Sequence, residues 1–248
     1  MCKQDRVSDI IRFLLAASIG LALLACDKGS DSVTATVLYF EEQEPEIEPY
    51  RTRMMVTAKY LRMDDGSNST SFLLFDRGKR VIYSTNAEEK NILVVPEQPA
   101  AKDASSKLTH KTVKLESSLP KVEGKDVTEY KLYTSDKECY HLFAVQGLLP
   151  DAIAALTEYR QVLAGEQTRV LEHMPIELQT PCDLANNVFV PARNLEYGFP
   201  VRQQDMTGHL RELVDYKTET VSKTLFQLPD TFQRYTTQSI QQQNASPR

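Results

Sequence analysis

Apolar and polar residues alternate with a period of two along most of the chain, which is the pattern of half-buried β-strands. In the stretch VTATVLYF (residues 33–40), the odd-numbered side chains fall on one face and the even-numbered ones on the other. Similar β-rich runs follow, separated by the short spacers GSN, DRGK and AEEK. The runs are MMVTAKYLRMDD, STSFLLF, RVIYSTN and NILVV, then TVKLE, DVTEYKLYT and CYHLFAVQ. Short spacers between such runs predict an antiparallel meander.

The period changes after Gly147, where apolar residues recur at steps of three and four up to residue 174. Pro150 and Asp151 suit the first turn of a helix, and Pro175 ends the pattern. Gly165 interrupts it, so the segment is either one amphipathic helix or two short ones. We expect its apolar stripe to pack on the concave face of the sheet. The stripe consists of Ile153, Leu156, Tyr159, Leu163, Val170 and Met174.

Strand-like runs return after Cys182, as EYGFPVRQ and HLRELVDYKTETVSKTLFQL, and LPDTFQRY ends the folded part. The pattern therefore predicts one mainly β (α+β) domain over residues 33–236, with one central helical segment. Residues 237–248 are polar and read as a disordered tail.

The first 25 residues have the composition of a secretory signal peptide. Lys3, Arg6 and Arg12 are followed by thirteen residues, 13–25, that carry no charge. As a helix this run would be roughly 20 Å long, short of the ~30 Å hydrocarbon core of a bilayer. It is therefore too short for a permanent transmembrane span.

The segment Leu23-Leu24-Ala25-Cys26 resembles the bacterial lipobox. That resemblance implies cleavage before Cys26, a diacylglyceryl group on its thiol and a periplasmic protein held at a membrane by N-terminal lipid, with residues 26–32 as a tether. An ordinary signal peptide with a cysteine near its end is the alternative. Asp27 resembles an inner-membrane retention signal and favours that membrane, while the outer membrane stays open.

Export of the protein would also determine whether the remaining cysteines are reduced or oxidised. Cys2 leaves with the signal peptide, and Cys139 and Cys182 remain in an oxidising compartment, where a disulfide between them is the simplest account. Two separate buried thiols are the alternative. A zinc site is disfavoured, because neither cysteine lies in a close Cys-Cys or Cys-His pair of the type that binds zinc together with a second such pair.

The net charge of the chain and the short motifs that it lacks restrict the classes of function to consider. Residues 1–25 carry three basic and two acidic side chains, so their removal changes the net charge from −5 to −6. That charge disfavours nucleic acid and anionic lipid surfaces as partners. The chain has no G-x-S-x-G, H-E-x-x-H, P-loop or G-x-G-x-x-G motif, and its four histidines are scattered. The glutamates of residues 41–48 read as a solvated loop and not as a calcium site. We expect no catalysis, cofactor or metal.

The stretch YLRMDD…TSFLLFDRGKRVIYSTNAEEKNILVV, with Gly198-Phe-Pro-Val201 and Phe226-Gln-Leu-Pro229, is similar to Lol-type lipoprotein carriers and receptors and to uncharacterised exported lipoproteins grouped with them. The resemblance implies a curved antiparallel half-barrel, which in the carriers encloses an apolar cavity for acyl chains. Candidate lining residues on the strands are Val37, Tyr39, Val56, Phe72 and Leu74. On the helix they are Ile153, Leu156, Tyr159 and Leu163.

Two functions remain open. The first is a lipid-anchored, non-catalytic binding module for an acyl chain, a lipid or a lipidated partner. The second is an envelope interaction, structural or stress-sensing lipoprotein with a closed core, which works through protein contacts. An apolar cavity of about 300 Å³ or more inside the half-barrel favours the first, and a filled interior favours the second.

The lipobox interpretation predicts that Cys26→Ser yields an unprocessed precursor or a protein released from the membrane, because the thiol that accepts the lipid is lost. Metabolic labelling with a clickable palmitate analogue measures this, with Cys2→Ser as the matched control that keeps full labelling. Equal labelling of wild type and Cys26→Ser would contradict the interpretation.

Overall fold

The computed structural model describes residues 31–67, 70–101, 108–171 and 174–239. The predicted signal peptide and Cys26 lie outside these residues. In the described part the chain is mainly β and forms a single open, curved sheet of twelve strands, as the alternation of apolar residues predicts. No helix in this part of the chain combines the length and apolar character needed to cross a membrane.

The chain builds the sheet in two groups of strands separated by a helical region. The first six strands are β1 (Ser32–Gln43), β2 (Tyr50–Val56), β3 (Tyr60–Asp64), β4 (Leu73–Asp76), β5 (Val81–Asn86) and β6 (Asn91–Pro96). The next three are β7 (His110–Glu116), β8 (Thr128–Thr134) and β9 (Lys137–Val145). The long helix α1 (Pro150–Leu171) follows, and the last strands are β10 (Phe199–Asp205), β11 (Leu210–Ser222) and β12 (Gln233–Tyr235).

Short helical turns connect α1 to β10 and β11 to β12. Between α1 and β10 the chain forms a 3₁₀ turn, a helical turn, a π-helical segment and a second 3₁₀ turn. These are Ile176–Leu178, Pro181–Asp183, Leu184–Phe189 and Arg193–Leu195. We call residues 174–198 the strap. After β11 a further 3₁₀ turn, Lys223–Phe226, precedes β12.

Strand β11 lies between β1 and β10 and so joins strands β1–β6 to strands β7–β10 in one sheet. The spatial order is β12-β6-β5-β4-β3-β2-β1-β11-β10-β9-β8-β7. β11 pairs antiparallel with β1 from Ser32↔Ser222 to Gln43↔Leu210, with a bulge between Tyr39 and Phe40. All neighbouring strands are antiparallel except β12, which runs parallel to β6. Local patterns predict the individual strands. The pairing of β11 with β1, between segments far apart in sequence, joins them into one sheet.

The run MMVTAKYLRMDD forms two strands where the sequence pattern suggested one. Thr57 lies between them, and its Oγ1 accepts hydrogen bonds from the N–H groups of Lys59 (3.2 Å) and Tyr60 (2.8 Å). A threonine hydroxyl that accepts from the backbone two or three residues later stabilises a turn. The turn reverses the chain, so that Val56 of β2 lies opposite Leu61 of β3.

Helix α1 covers one face of the sheet, which we call the inner face. Ala152, Ala155, Leu156 and Val162 of α1 are buried there. Their partners on the strands include Leu38, Phe40, Met54, Val56, Leu61, Phe75 and Ile82. This cluster is the main core, and it confirms that the central helix packs on the curved sheet.

The opposite, outer face is also apolar and is covered by the turn after β11. Ala35, Val37, Met55, Phe72 and Leu74 form its cluster with Phe226, which is 6% exposed. The backbone carbonyl of Leu225 accepts a hydrogen bond from Arg62, whose guanidinium lies 3.8 Å from the Phe72 ring centroid. The chain therefore covers both faces of strands β1–β5.

A disulfide joins Cys139 of β9 to Cys182 of the strap, with the two Cα atoms 5.2 Å apart. This confirms the predicted pair. The bridge spans 43 residues of sequence, and a loop of that size stabilises the fold by roughly 4 kcal/mol in the chain-entropy model. It fixes the strap to strand β9 of the sheet.

The predicted domain ends differ slightly from the structure. β1 begins at Ser32, one residue before the predicted start, and the carbonyl of Asp31 accepts a hydrogen bond from the N–H of Lys223. At the other end, the N–H of Ser239 donates to the carbonyl of Thr236, so residues 237–239 form a helical turn. The predicted tail from residue 240 onward lies outside the described residues.

α1 runs through Gly165 without a break, so the segment is one helix. A Cβ atom at Gly165 would lie 2.4 Å from the carbonyl oxygen of Gln98. Elsewhere an alanine in a helix is about 1 kcal/mol better than glycine. Here the backbone after β6 occupies that space.

We predict that Gly165→Ala destabilises the domain by about 1–3 kcal/mol, because overpacking outweighs the gain in helix propensity. Urea unfolding followed by circular dichroism measures the change. Gly78→Ala is the matched control, since the nearest atom to its Cβ, Asp76 Oδ1, lies at 3.6 Å. Unchanged or increased stability of Gly165→Ala would show that the Gln98 carbonyl does not constrain the helix.

Candidate binding site

The nine residues predicted to line one cavity lie on two opposite faces of the sheet. Val56 and the helix residues Ile153, Leu156, Tyr159 and Leu163 belong to the inner face. Val37, Tyr39, Phe72 and Leu74 belong to the outer face. Consecutive residues of a strand point to opposite sides, so a single cavity cannot contain both sets. The proposed common lining is therefore wrong.

α1 fills the inner face where the half-barrel interior would lie. Leu156 is 6% exposed, and Val162 and Ala155 are fully buried against the sheet. The Tyr159 ring contacts the edge of Phe75, with 6.1 Å between centroids, and burial raises the pKa of its hydroxyl. These contacts make α1 a core helix.

An ion pair at the sheet surface fixes α1 in this position. Arg77, which follows β4, donates from Nε and Nη2 to the two carboxylate oxygens of Glu158 at 2.7 and 2.8 Å. Bidentate pairs of this kind have strong orientation preferences. The hydrogen bonds raise the pKa of Arg77 and lower that of Glu158, so both groups stay charged at neutral pH.

The strap packs beside α1 and is attached to it by Arg160. Its Nη1 donates to the carbonyl of Pro191 at 3.0 Å and to Oδ1 of Asn194 at 2.6 Å. Asn194 is fully buried and donates in turn to Gln203 of β10. The disulfide holds the other part of the strap. The strap is therefore anchored to both the helix and the sheet.

An apolar groove of about 280 Å³ lies between the last turns of α1 and the strap. Its apolar lining consists of Val170, Leu171, Met174, Leu178, Leu184 and Val188. Four polar residues complete the lining: Gln167, Gln179, Asp183 and Asn187. Leu178 is 64% exposed and its neighbour Ile176 is 77% exposed. We call this surface the apolar groove.

Hydrogen bonds hold the polar part of the apolar groove in place. Gln179 donates from Nε2 to the carbonyl of Met174 at 2.9 Å. The Thr180 hydroxyl caps the next turn by accepting from the N–H of Asp183 at 3.1 Å. Pro181 at the first position of that turn suits the cap. The groove is therefore a formed surface with exposed apolar side chains, which often marks an interaction site.

The acidic stretch of residues 41–48 is partly structural, which corrects its interpretation as a solvated loop. Glu42 lies within β1 and is 1% exposed. Its carboxylate accepts from Thr52 (2.7 Å), His209 (2.9 Å) and Arg211 (2.7 Å). These partners satisfy the carboxylate, which therefore joins β1, β2 and β11. Across the described ranges, no cluster of three or more His, Cys, Asp or Glu side chains has the geometry for a metal ion.

Sequence reasoning missed the apolar groove because residues 175–190 follow neither a helical nor a strand period. The available signal was the pair Ile176 and Leu178 in MPIEL, two large apolar residues next to a helix-ending proline. The structure exposes both of them.

Comparisons with known proteins identify no family for this chain. No family model and no curated protein matches the chain. Among solved structures, PNGF-II in the C2 space group matches with 8% identity and a TM-score of 0.42, over 85% of this chain and 32% of the other. PNGF-II in the P21 space group matches with 8% identity and a TM-score of 0.38, over 84% and 32%. The chain spans about a third of the length of these structures.

We predict that Leu156→Ala destabilises the domain by about 2–5 kcal/mol, because it leaves a cavity between α1 and the sheet. Guanidinium unfolding measures the change. Val170→Ala is the matched control on the same helix, since Val170 is 38% exposed in the apolar groove and its truncation leaves no enclosed cavity. A loss below about 1 kcal/mol for Leu156→Ala would show that α1 is a loosely held lid.

Proposed function

We propose that this protein is a lipid-anchored lipoprotein of the bacterial cell envelope that acts without catalysis, through contacts at its surface. The observation that carries the proposal is the combination of a filled inner face and an exposed apolar groove. Leu156 of α1 is buried against the sheet, whereas Leu178 of the strap is 64% exposed. Of the two functions that the sequence left open, this geometry favours the interaction protein with a closed core.

The apolar groove suits a short apolar segment of a partner protein. Its volume of about 280 Å³ is close to the lower end of the 300–1,000 Å³ typical of ligand pockets. Gln167, Gln179 and Asn187 at its sides carry amide groups that can pair with a peptide backbone. Leu178 and Met174 supply the apolar contact, and methionine adapts well to varied partners.

The second candidate is an acyl chain or lipidated partner bound in the same groove. Two observations support this candidate. The apolar lining consists of six aliphatic or methionine residues, and the sequence resembles Lol-type carriers. An acyl chain would use only these residues and would make no hydrogen bond to the surrounding amides. The polar lining therefore favours a polypeptide.

The anchor follows from the lipobox resemblance at Cys26, and Asp27 favours the inner membrane. The disulfide between Cys139 and Cys182 agrees with an oxidising compartment, where such bonds persist. The lipidated N-terminus would keep the domain at the membrane surface, within reach of other envelope proteins.

Site-specific photocrosslinking in intact cells tests the function. A benzophenone amino acid at Leu178 of the full lipoprotein should give a discrete protein adduct, and adding Met174→Asp should reduce that adduct at least tenfold, because a carboxylate then faces the apolar partner. Met174→Leu keeps the apolar contact and is the matched control. A benzophenone at Lys114, an exposed residue of β7, controls for nonspecific capture.

The outcomes separate the two candidates. A Met174-sensitive protein adduct supports the interaction protein. An adduct with lipid alone supports the acyl-chain candidate. If neither adduct depends on Met174, the apolar groove is not the working surface.

A further inference from the structure

A second cleft, of about 450 Å³, lies on the outer face between the sheet and the chain that leads into β12. Its floor is set by strand register: Tyr60 of β3 lies opposite Asp76 of β4, and Leu74 of β4 lies opposite Tyr83 of β5. These four side chains point to the same side because they occupy alternate positions on neighbouring strands. We call this site the outer cleft.

The wall of the outer cleft is held in place before any ligand binds. Phe226 stacks on Tyr60, with 5.6 Å between ring centroids and 15° between ring planes. Arg62 holds the carbonyl of the preceding residue, Leu225. Further along, β12 pairs with β6, which places Arg234 opposite Ile92 and beside the cleft. A formed wall lowers the entropy lost on binding.

The charges around the outer cleft balance. Asp76 and Asp230 are acidic, and Lys79 and Arg234 are basic. The Asp76 side chain is 12% exposed; its Oδ1 accepts from the N–H of Lys79 at 3.0 Å, and its Oδ2 lies 3.5 Å from Lys79 Nζ. Asp230 and Arg234 are exposed at the rim. The site therefore offers charged donors and acceptors with no net charge.

We propose that the outer cleft binds a neutral saccharide. A sugar ring has an apolar C–H face, which can pack on Tyr83 and Tyr60, and hydroxyl groups that both donate and accept hydrogen bonds. Carboxylates at Asp76 and Asp230 accept from hydroxyls, and Lys79 and Arg234 donate to them. A concave site that combines aromatic side chains with a few polar groups is a common form of small-ligand site.

Other ligand classes fit these residues less well. An acyl chain would displace water from the charged groups around the cleft and offer them no hydrogen bond in return, which is costly. A phosphate or another anion would face Asp76 and Asp230. A cation would face Lys79 and Arg234. An uncharged, hydroxyl-rich ligand satisfies all four groups at once.

Saturation-transfer NMR and isothermal calorimetry on the full mature lipoprotein test the proposal, with cellotriose, maltotriose and triacetylchitotriose as probes. We expect at least one trisaccharide to bind, and Tyr83→Ala to weaken its binding at least tenfold. Tyr133→Ala is the matched control, because Tyr133 is a half-buried strand tyrosine on β8, at the far side of the sheet. Its affinity should equal that of wild type.

Asp230→Ala is a second variant, and it should also weaken binding. Because Asp230 is exposed, this substitution should leave the fold intact. The proposal is overturned if none of the trisaccharides binds, if Tyr133→Ala weakens binding as much as Tyr83→Ala, or if adenosine binds in preference to all three sugars. This test is independent of the apolar groove.

Discussion

A single sheet that is apolar on both faces must be covered twice, and the rest of this structure depends on that constraint. In β1, Val37 and Leu38 are neighbours in sequence, and both are almost completely buried, on opposite faces. Burial of apolar area is the main favourable contribution to folding, so neither face can be left in water. Over strands β1–β5, α1 covers the inner face and the turn Lys223–Phe226 covers the outer one. The apolar groove and the outer cleft lie where these two covers end.

The outer cover depends on a buried charge cluster as well as on apolar contacts. Burial opposes the ionisation of Asp64, but hydrogen bonds from Arg53, Arg62 and the N–H of Gly66 outweigh it and lower its pKa below 3.8. A lowered pKa contributes stability above the unfolded value, near 3.8, and that stability is lost as the pH falls through the folded value. Arg62 also holds the carbonyl of Leu225. The same group of charges thus connects the stability of β3 to the position of the outer wall.

Local sequence pattern predicted the elements well and their faces poorly. Alternation identified the strands, the three- and four-residue steps identified α1, and export predicted the pair of Cys139 and Cys182. Alternation cannot assign an inner face when both faces are apolar, and for that reason it wrongly assigns Val37 and Val56 to one cavity. The insertion of β11 between β1 and β10 and the parallel pairing of β12 with β6 join residues far apart in sequence. No short window contains that information.

In both candidate sites, the residues that stabilise the fold lie on one wall, and the residues that can change what binds lie on the other. One wall of each is a regular element, α1 for the apolar groove and β3–β5 for the outer cleft, whose residues are fixed by core packing. The other wall is irregular chain next to a proline, Pro175 or Pro229. Irregular segments tolerate substitution more readily than the elements they connect. Changes at Leu178 or Asp230 can therefore alter what binds while leaving the paired strands intact, whereas changes at Leu156 or Phe226 disturb the covers themselves.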